Sequence, residues 1–366
     1  MADSTNRLIL GFATQGSEHL DAERLRTLLE PLGAEMFAFD HAHKARSAAR
    51  LIGAACARRP ALIVMEGTGI AGGIAVLVIR AVLGIPFVVS SGDAVGPYLR
   101  LRSRGAGAIG GFYERLLCRR CTGYVGWTPY LVGRALTFGA PRAMTAAGWT
   151  RSVPARGARE AVRGRLGIAH DAVVVGLVGS LNWRESVGYT YGAELVAAIR
   201  RLERRDVVAC IVGDGNGRER LEALAGEDLG TRVVMTGRVA PEAVADHLAA
   251  FDLASLPQSV DGVGSFRYST KLSEYLAAQL PVITGQTPMA YDLDTGFLWR
   301  LPGDAPWSEA YQDALTRLLE GVQQDELAVR RRALSDRSGE PFDLPAQRER
   351  VASFLTDILA RPGRQR

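Results

Sequence analysis

Along most of the chain, short unbroken apolar runs alternate with segments in which apolar residues recur every three or four positions. In the first half, "RLILGFAT" predicts a strand, "LDAERLRTLLEPLG" a helix and "AEMFAFD" a strand. "KARSAARLIGAACARR" follows as a helix, "ALIVMEG" as a strand, "AGGIAVLVIRAVLG" as a helix and "IPFVVSSG" as a strand. A helix from about Gly111 leads to the strand "GYVGWT", the helix "PYLVGRALTFG" and the short strand "AMTAAG". Apolar runs without polar alternation suit strands covered on both faces. Their regular alternation with helices predicts an α/β fold built on parallel sheets.

From Gly148 to Gly164 the pattern stops. "GWTRSVPARGAREAVRG" is rich in Gly, Pro and Arg with no apolar period, as expected of a crossing between domains. The rhythm then restarts with "AVVVGLVGS" (strand), "AELVAAIRRLERR" (helix), "VVACIVGDG" (strand), "GRERLEALAG" (helix) and "RVVMTG" (strand). "PEAVADHLAAF" is a helix, "LASLP" a strand, "STKLSEYLAA" a helix and "PVIT" a strand. Two Rossmann-like domains are expected, over residues 1–155 and 156–340. An amphipathic helix within 341–366, "AQRERVASFLTDILA", is expected to pack back on the first. No repeat of solenoid length is present.

Composition supports this. The chain has 366 residues, 47% hydrophobic and 23% charged, enough apolar content for two cores. "ALIVMEGTGIAGGIAVLVI" is long enough to raise the question of a membrane span. Glu66 and four glycines interrupt it and Arg80 follows at once, so a buried strand, a turn and a core helix explain it better. No basic and apolar leader precedes "MADSTNRLIL", and the four cysteines are scattered; both point to cytoplasmic residence. Cys118 and Cys121 form a CxxC without a second ligand pair, and the five histidines show no metal spacing, so no metal site is expected.

Charge divides the chain. Up to Arg165 there are 22 Lys+Arg against 11 Asp+Glu, and beyond it 22 against 28. A basic first half suits an anionic partner. Within it, "YLRLRSRGAGAIGGFYERLLCRR" gathers Arg100, Arg102, Arg104, Arg115, Arg119 and Arg120 among apolar residues. That segment fits either a solvated arginine face or a peripheral contact with the inner face of a membrane, worth about 1 kcal/mol per basic residue at an anionic surface. No nucleic-acid-binding module is present, and no nucleic-acid partner is expected.

The most informative stretch is "YSTKLSEYLAAQLPVITG", Tyr268 to Gly285. Ser269 or Thr270 can cap a helix whose first turns carry Lys271 and Glu274 on one face. The loop before it follows a strand end, where doubly wound sheets bind ligands. A helix N-terminus with a lysine beside it seats a phosphate or diphosphate, and a carboxylate one turn on suits the two hydroxyls of a ribose. A capped helix with a solvated Lys–Glu pair fits these two residues equally well. "GDGNG" lacks the full G-x-G-x-x-G pattern and reads as a strand-to-helix turn rather than a dinucleotide fingerprint.

With these residues in place, the second half resembles the nucleotide-sugar domain of GT-B glycosyltransferases of the retaining family 4 (glycosyl transferases group 1) type. Four blocks carry the resemblance, in order: "REAVRGRLGIAHDAVVVGLVGSL", "ACIVGDGNGRERLEALA", "RVVMTGRVAPEAVADHLAAFDLASLPQS" and "YSTKLSEYLAAQLPVITG". The resemblance implies two doubly wound domains facing across a cleft. It also implies transfer of a sugar from a nucleoside diphosphate sugar, with UDP or GDP the expected nucleotide, no metal, and retention of anomeric configuration. Arg184, in "VGSLNWRES", takes the place of the basic residue against the diphosphate, and Ser180 stands where an arginine is common. Gly213 lines the donor site, and Arg238 follows the strand that meets the base. Ser269, Thr270 and Lys271 fall on the diphosphate, and Glu274 on the ribose as the second glutamate of an E-x7-E motif. The first glutamate is replaced by Phe266, leaving Asp261, the 262–265 backbone and Arg267 to grip the donor sugar. This replacement keeps two alternatives open: a protein that binds the nucleotide sugar without transfer, and a relative catalysing another reaction on it.

The first half is expected to bind the acceptor, a glycan, a natural-product scaffold or a lipid-linked saccharide. Candidate residues follow its strand ends: Thr14, Gln15 and Gly16; Glu66, Gly67 and Thr68; Asp93 and Tyr98. Gly16 is expected to approach the donor, and Asp93 to stand near the reacting centre, although a turn-capping role suits Asp93 as well.

Overall fold

The structure is a computed structural model that describes residues 7–150, 153–185, 187–334 and 336–360. The chain divides into two compact units. One holds residues up to Ala147 together with Phe266–Tyr268 and the segment from Phe342 onward; the other holds Gly148–Ser265 and Ser269–Pro341.

Unit 1 begins with β1 (Ile9–Ala13), α1 (Leu20–Leu29), β2 (Glu35–Met36), α2 (Lys44–Arg58), β3 (Leu62–Glu66) and α3 (Ile70–Leu83). It continues with β4 (Phe87–Ser91), α4 (Val95–Arg100), α5 (Arg104–Arg120), β5 (Gly123–Gly126), α6 (Pro129–Thr137) and β6 (Ala143–Thr145). The strands form one parallel sheet in the order β2-β1-β3-β4-β5-β6. The apolar runs of β1, β3 and β4 are buried along their whole length, as the unbroken pattern predicted. The tempting membrane segment is β3 plus α3, and no described helix is long and apolar enough to cross a membrane.

Two elements of unit 1 differ from expectation. The strand predicted over "AEMFAFD" pairs at Glu35 and Met36 alone, after which Phe37 N donates to Gly11 O (2.7 Å) and Phe39 stacks on Phe12. The helix expected from about Gly111 starts at Arg104 and is preceded by α4. Its glycines are the reason: a Cβ at Gly107 would press on Arg100 (2.7 Å) and one at Gly110 on Leu99 (2.8 Å), so this run lets α4 lie against α5. Glu114 pins the arrangement, accepting both Arg134 guanidinium hydrogen bonds (2.8 Å each) and one from Gly96 N (3.1 Å). Cys118 and Cys121 are buried in this core, where burial pushes the Cys118 thiol up to about 12.

Unit 2 runs α7 (Ala158–Arg165), β7 (Val173–Val178), α8 (Ala193–Arg201), β8 (Val207–Val212), α9 (Arg218–Ala225), β9 (Val233–Gly237), α10 (Val244–Ala249) and β10 (Leu253–Leu256). Then come α11 (Thr270–Ala277), β11 (Val282–Gly285), α12 (Pro288–Asp292), β12 (Leu298–Leu301), α13 (Glu309–Gly321), α14 (Gln324–Ala333) and α15 (Asp336–Gly339). Its sheet is parallel, in the order β12-β11-β10-β7-β8-β9. The strand order reverses beside β7, the switch point at which such sheets take ligands. At the opposite end of the sheet, buried Asp252 accepts from Arg163 (2.7 Å), Arg159 (2.5 Å) and Val174 N (2.8 Å). Burial alone would raise its carboxyl; these partners outweigh burial and hold it below the ordinary range. The last helix, α16 (Leu344–Ala360), belongs to unit 1 and packs on α1, with Arg348 paired to Glu30 (2.6 Å).

Candidate functional site

In unit 2 the predicted donor residues gather at the carboxyl edge of the sheet. Ser180 and Arg184 lie beyond β7, Gly213 beyond β8 and Arg238 beyond β9, while Ser269 to Glu274 open α11 after the loop that follows β10. Ser269 caps α11 through its hydroxyl, which accepts from Lys271 N (3.3 Å). Lys271 Nζ reaches both oxygens of Glu274 (3.3 and 3.1 Å), and both side chains stay partly exposed. The helical spacing thus places an ammonium and a carboxylate side by side at a helix N-terminus. The core anchors this helix from behind: the Tyr275 hydroxyl accepts from Val178 N (3.1 Å) and donates to Ser255 O (3.2 Å).

The loop after β7 is tied down on both sides of Arg184. Leu181 N donates to Asp214 O (3.0 Å), Trp183 N to Asn216 Oδ1 (2.8 Å) and Gly217 N to Leu181 O (2.8 Å). The Arg220 guanidinium covers the Trp183 ring at 4.1 Å. Beyond it, Arg184 N donates to Tyr189 O (2.9 Å). Ser180, Arg184 and Arg238 are exposed. Gly213 stands at φ +147, and a Cβ there would collide with the Gly179 carbonyl oxygen. The two strand ends approach so closely that glycine alone fits.

Asp261 does not offer a free carboxylate. Its oxygens accept from Val263 N and Gly264 N (2.7 Å each) and from the Ser259 hydroxyl (2.8 Å), which shapes the 259–265 loop. Phe266, at the position of the missing glutamate, packs in unit 1. Its carbonyl accepts from the Thr128 hydroxyl (2.8 Å), and the Arg134 guanidinium lies 5.4 Å from its ring centre. Arg267, beside it in unit 1, donates to Asp93 at 2.6 Å. Two residues assigned to different substrates are therefore partners, an ion pair spanning 174 residues of sequence.

The rest of unit 1 corrects one expectation. Glu66 is 1% exposed and does not line the acceptor side. Its carboxylate accepts from Arg24 (2.7 Å), the Ser90 hydroxyl (2.8 Å) and Trp127 Nε1 (3.0 Å). Arg24, also buried, lies 4.3 Å from the centre of the Trp127 ring and donates to Ala146 O (2.5 Å). Burial raises the Glu66 carboxyl and lowers the Arg24 guanidinium, each opposed by the other's charge. This network joins the ends of β3, β4, β5 and β6, so it sets the loops rather than touching a ligand. Thr68 and Asp93 are half-buried in those loops, and Tyr98 is exposed on α4. Thr14 is buried against Glu66 O, and Gly16 takes φ +113 after β1.

Sequence reasoning did not single out Tyr189, Asn216, Arg220 or Glu194, which fix the Arg184 loop. Glu194 in "GAELVAA" reads as an ordinary first-turn acid, and nothing in the pattern signals its complete burial.

Residues 172–321 match the model of the family glycosyl transferases group 1. Among curated proteins, none matches the chain. In fold, the chain is similar to Anabaena HepE in complex with UDP, at 18% identity and TM-score 0.68, covering 96% of this chain and 100% of that one. Sucrose-phosphate synthase from Thermosynechococcus elongatus is 14% identical with TM-score 0.72, covering 97% and 100%. WaaG, a glycosyltransferase involved in lipopolysaccharide biosynthesis, is 15% identical with TM-score 0.65, covering 95% and 99%. Residues 172–321 thus resemble the glycosyl transferases group 1 family, in a chain whose two parallel six-stranded sheets have the fold of GT-B glycosyltransferases.

Proposed function

We propose that the protein transfers a sugar from a nucleoside diphosphate sugar to an acceptor, with retention of anomeric configuration. The observation that carries this reading is the opening of α11. Within the residues matched by the family model, a serine-capped helix N-terminus presents Lys271 and Glu274 together beside strand ends. In this reading Lys271, Thr270, Ser269 and the exposed Arg184 hold the diphosphate, Glu274 exchanges its lysine partner for the ribose hydroxyls, and Arg238 borders the base. Ser180 and Gly213 line the same edge. UDP is the favoured nucleotide, because HepE and S. aureus MnaA, both similar in fold, were solved with UDP.

As the bond between the anomeric carbon and the phosphate oxygen breaks, negative charge grows on the departing diphosphate. Lys271, Arg184 and the N–H groups of α11 meet that charge, the contribution a metal makes in other sites. The departing phosphate itself takes the acceptor proton, so no protein nucleophile is assigned. In unit 1 the acceptor side comprises Thr68, Tyr98 and the Asp93–Arg267 pair, with Gly16 on the turn after β1. WaaG's place in lipopolysaccharide biosynthesis favours a glycolipid acceptor. Exposed Ile109 and Phe112 beside Arg104 and Arg115 on α5 fit the peripheral membrane contact such an acceptor needs.

Thermal shift with UDP and GDP, with and without EDTA, tests the donor half. UDP should stabilise the protein equally in both conditions. Lys271→Ala should weaken UDP affinity about tenfold or more, as expected for loss of a charge-assisted contact. Glu274→Gln should weaken uridine as well as UDP. If both variants bind UDP as the parent does, the site is misplaced. Turnover with a UDP-sugar, as transfer or slow hydrolysis, separates an enzyme from a module that binds without transfer.

A further inference from the structure

The stretch that presents Arg184 ends at Tyr189, whose hydroxyl donates to Glu194 Oε2 at 2.7 Å. Glu194 lies in the first turn of α8 and is completely buried. The same oxygen accepts from Gly192 N (3.1 Å), which caps the helix. Capping explains that second bond but not the first: a first-turn glutamate can cap from the surface, without burial and without a phenol five residues upstream. The Tyr189 bond acts on the loop, because Tyr189 O accepts from Arg184 N (2.9 Å), and Arg184 O accepts from Gly188 N (2.9 Å). Trp307 packs on the Tyr189 ring with centroids 4.9 Å apart.

We propose that Glu194 is a positioning residue whose buried carboxylate, through Tyr189, latches the loop that holds Arg184 toward the donor diphosphate. This inference rests on the donor site proposed above. The carboxylate has a built alternative to the latched state. Tyr311 from α13 faces it with a buried hydroxyl that has no hydrogen-bond partner among the described residues, and the Thr190 hydroxyl is likewise unpartnered. The titratable groups facing Glu194 are Tyr189, Tyr275 from α11 and Tyr311, all phenols that burial keeps protonated, with Ser255 of β10 adding a hydroxyl. Burial pushes the Glu194 carboxyl up to about 7, opposed by the Tyr189 and Gly192 hydrogen bonds. A phenol donates more strongly to a carboxylate than to a neutral carboxyl. The latch is therefore tight above about pH 7 and loose below it, with the neutral carboxyl free to donate to Tyr311.

Two measurements on the full chain test this. Without ligand, hydrogen exchange at Arg184 and Gly188 should quicken about tenfold in Tyr189→Phe and in Glu194→Gln, while β7 and β8 stay protected. Tyr189→Phe removes one oxygen and spares the packing, so it guards against a Glu194 variant that folds poorly. Calorimetric titration with UDP-glucose, whose doubly esterified diphosphate does not titrate between pH 6 and 8.5, should show parent affinity falling several-fold below about pH 7. Glu194→Gln should be weaker and flat across that range. Unchanged exchange in both variants, or affinity that rises as the pH falls, overturns the latch. If the parent binds no nucleotide sugar, the donor site falls instead, and the exchange result still decides the latch.

Discussion

Glu66 and Glu194 are the two fully buried glutamates whose surroundings predict opposite responses to neutral replacement. Glu66 is the carboxylate bonded to buried Arg24, so Glu66→Gln takes the nearest countercharge from a guanidinium inside unit 1. That variant should lose about 3–5 kcal/mol in denaturant unfolding. Glu194 has no such cation bonded to it. Its carboxyl sits near 7 in the folded protein against an ordinary 4.5, so stability is full below about pH 4.5, declines as the pH rises to about 7, and levels off beyond. At about 1.4 kcal/mol per pH unit the loss is about 2–4 kcal/mol. Glu194→Gln has no proton to release, so its stability relative to the parent should climb over that same window; a constant difference would refute the raised value. Side-chain neighbours were legible where helical spacing fixes them, as for Lys271 and Glu274. The Asp93–Arg267 pair was not, because no local pattern joins residues so far apart, and Glu66 looked like a rim residue because it ends a strand whose burial continues to its last position.

At the level of elements, apolar runs located the buried strands well, since a strand covered on both faces cannot alternate. The pattern failed where glycine reverses its usual meaning. "RGAGAIGG" reads as loop by propensity, yet it forms the first half of α5 because its missing side chains admit α4. Gly107→Leu tests this: it improves helix propensity but should lower the unfolding midpoint, because Arg100 stands where the new side chain must go. Stabilisation would mean that α4 is free to move aside. Past β11 the sequence reading placed neither β12 nor the helices α12 to α15, although α13 buries Tyr311, Leu315 and Leu319 at helical spacing. β12 is an edge strand with mixed burial, and α14 buries little besides Leu327, so their apolar signal is weak.

Over the whole molecule, the basic excess and the two helices with the largest exposed apolar side chains fall in the same unit. The basic excess lies before Arg165, and the large exposed apolar side chains on α3 (Ile70, Ile74, Val78, Val82) and α5 (Ile109, Phe112) lie there too. On α3 these four recur every four residues, a stripe that faces water when a core helix would bury it. Glu114, the one acid of α5, is buried against Arg134, so no exposed carboxylate of α5 offsets Arg104, Arg115 and Arg119. An anionic bilayer offers both what the arginines and what the apolar side chains lack in water. The protein should sediment with vesicles containing anionic lipid and far less with neutral ones. Raising salt from low concentration to about 0.5 M should release most of it, since charges are screened within a few ångströms there. Phe112→Glu combined with Ile109→Glu should abolish the residual, salt-resistant binding while UDP affinity, which the proposed function assigns to unit 2, stays at the parent value. Equal binding to neutral and anionic vesicles would remove the arginines from the contact, and no binding to either would return this face to water, leaving a soluble acceptor as the substrate to seek.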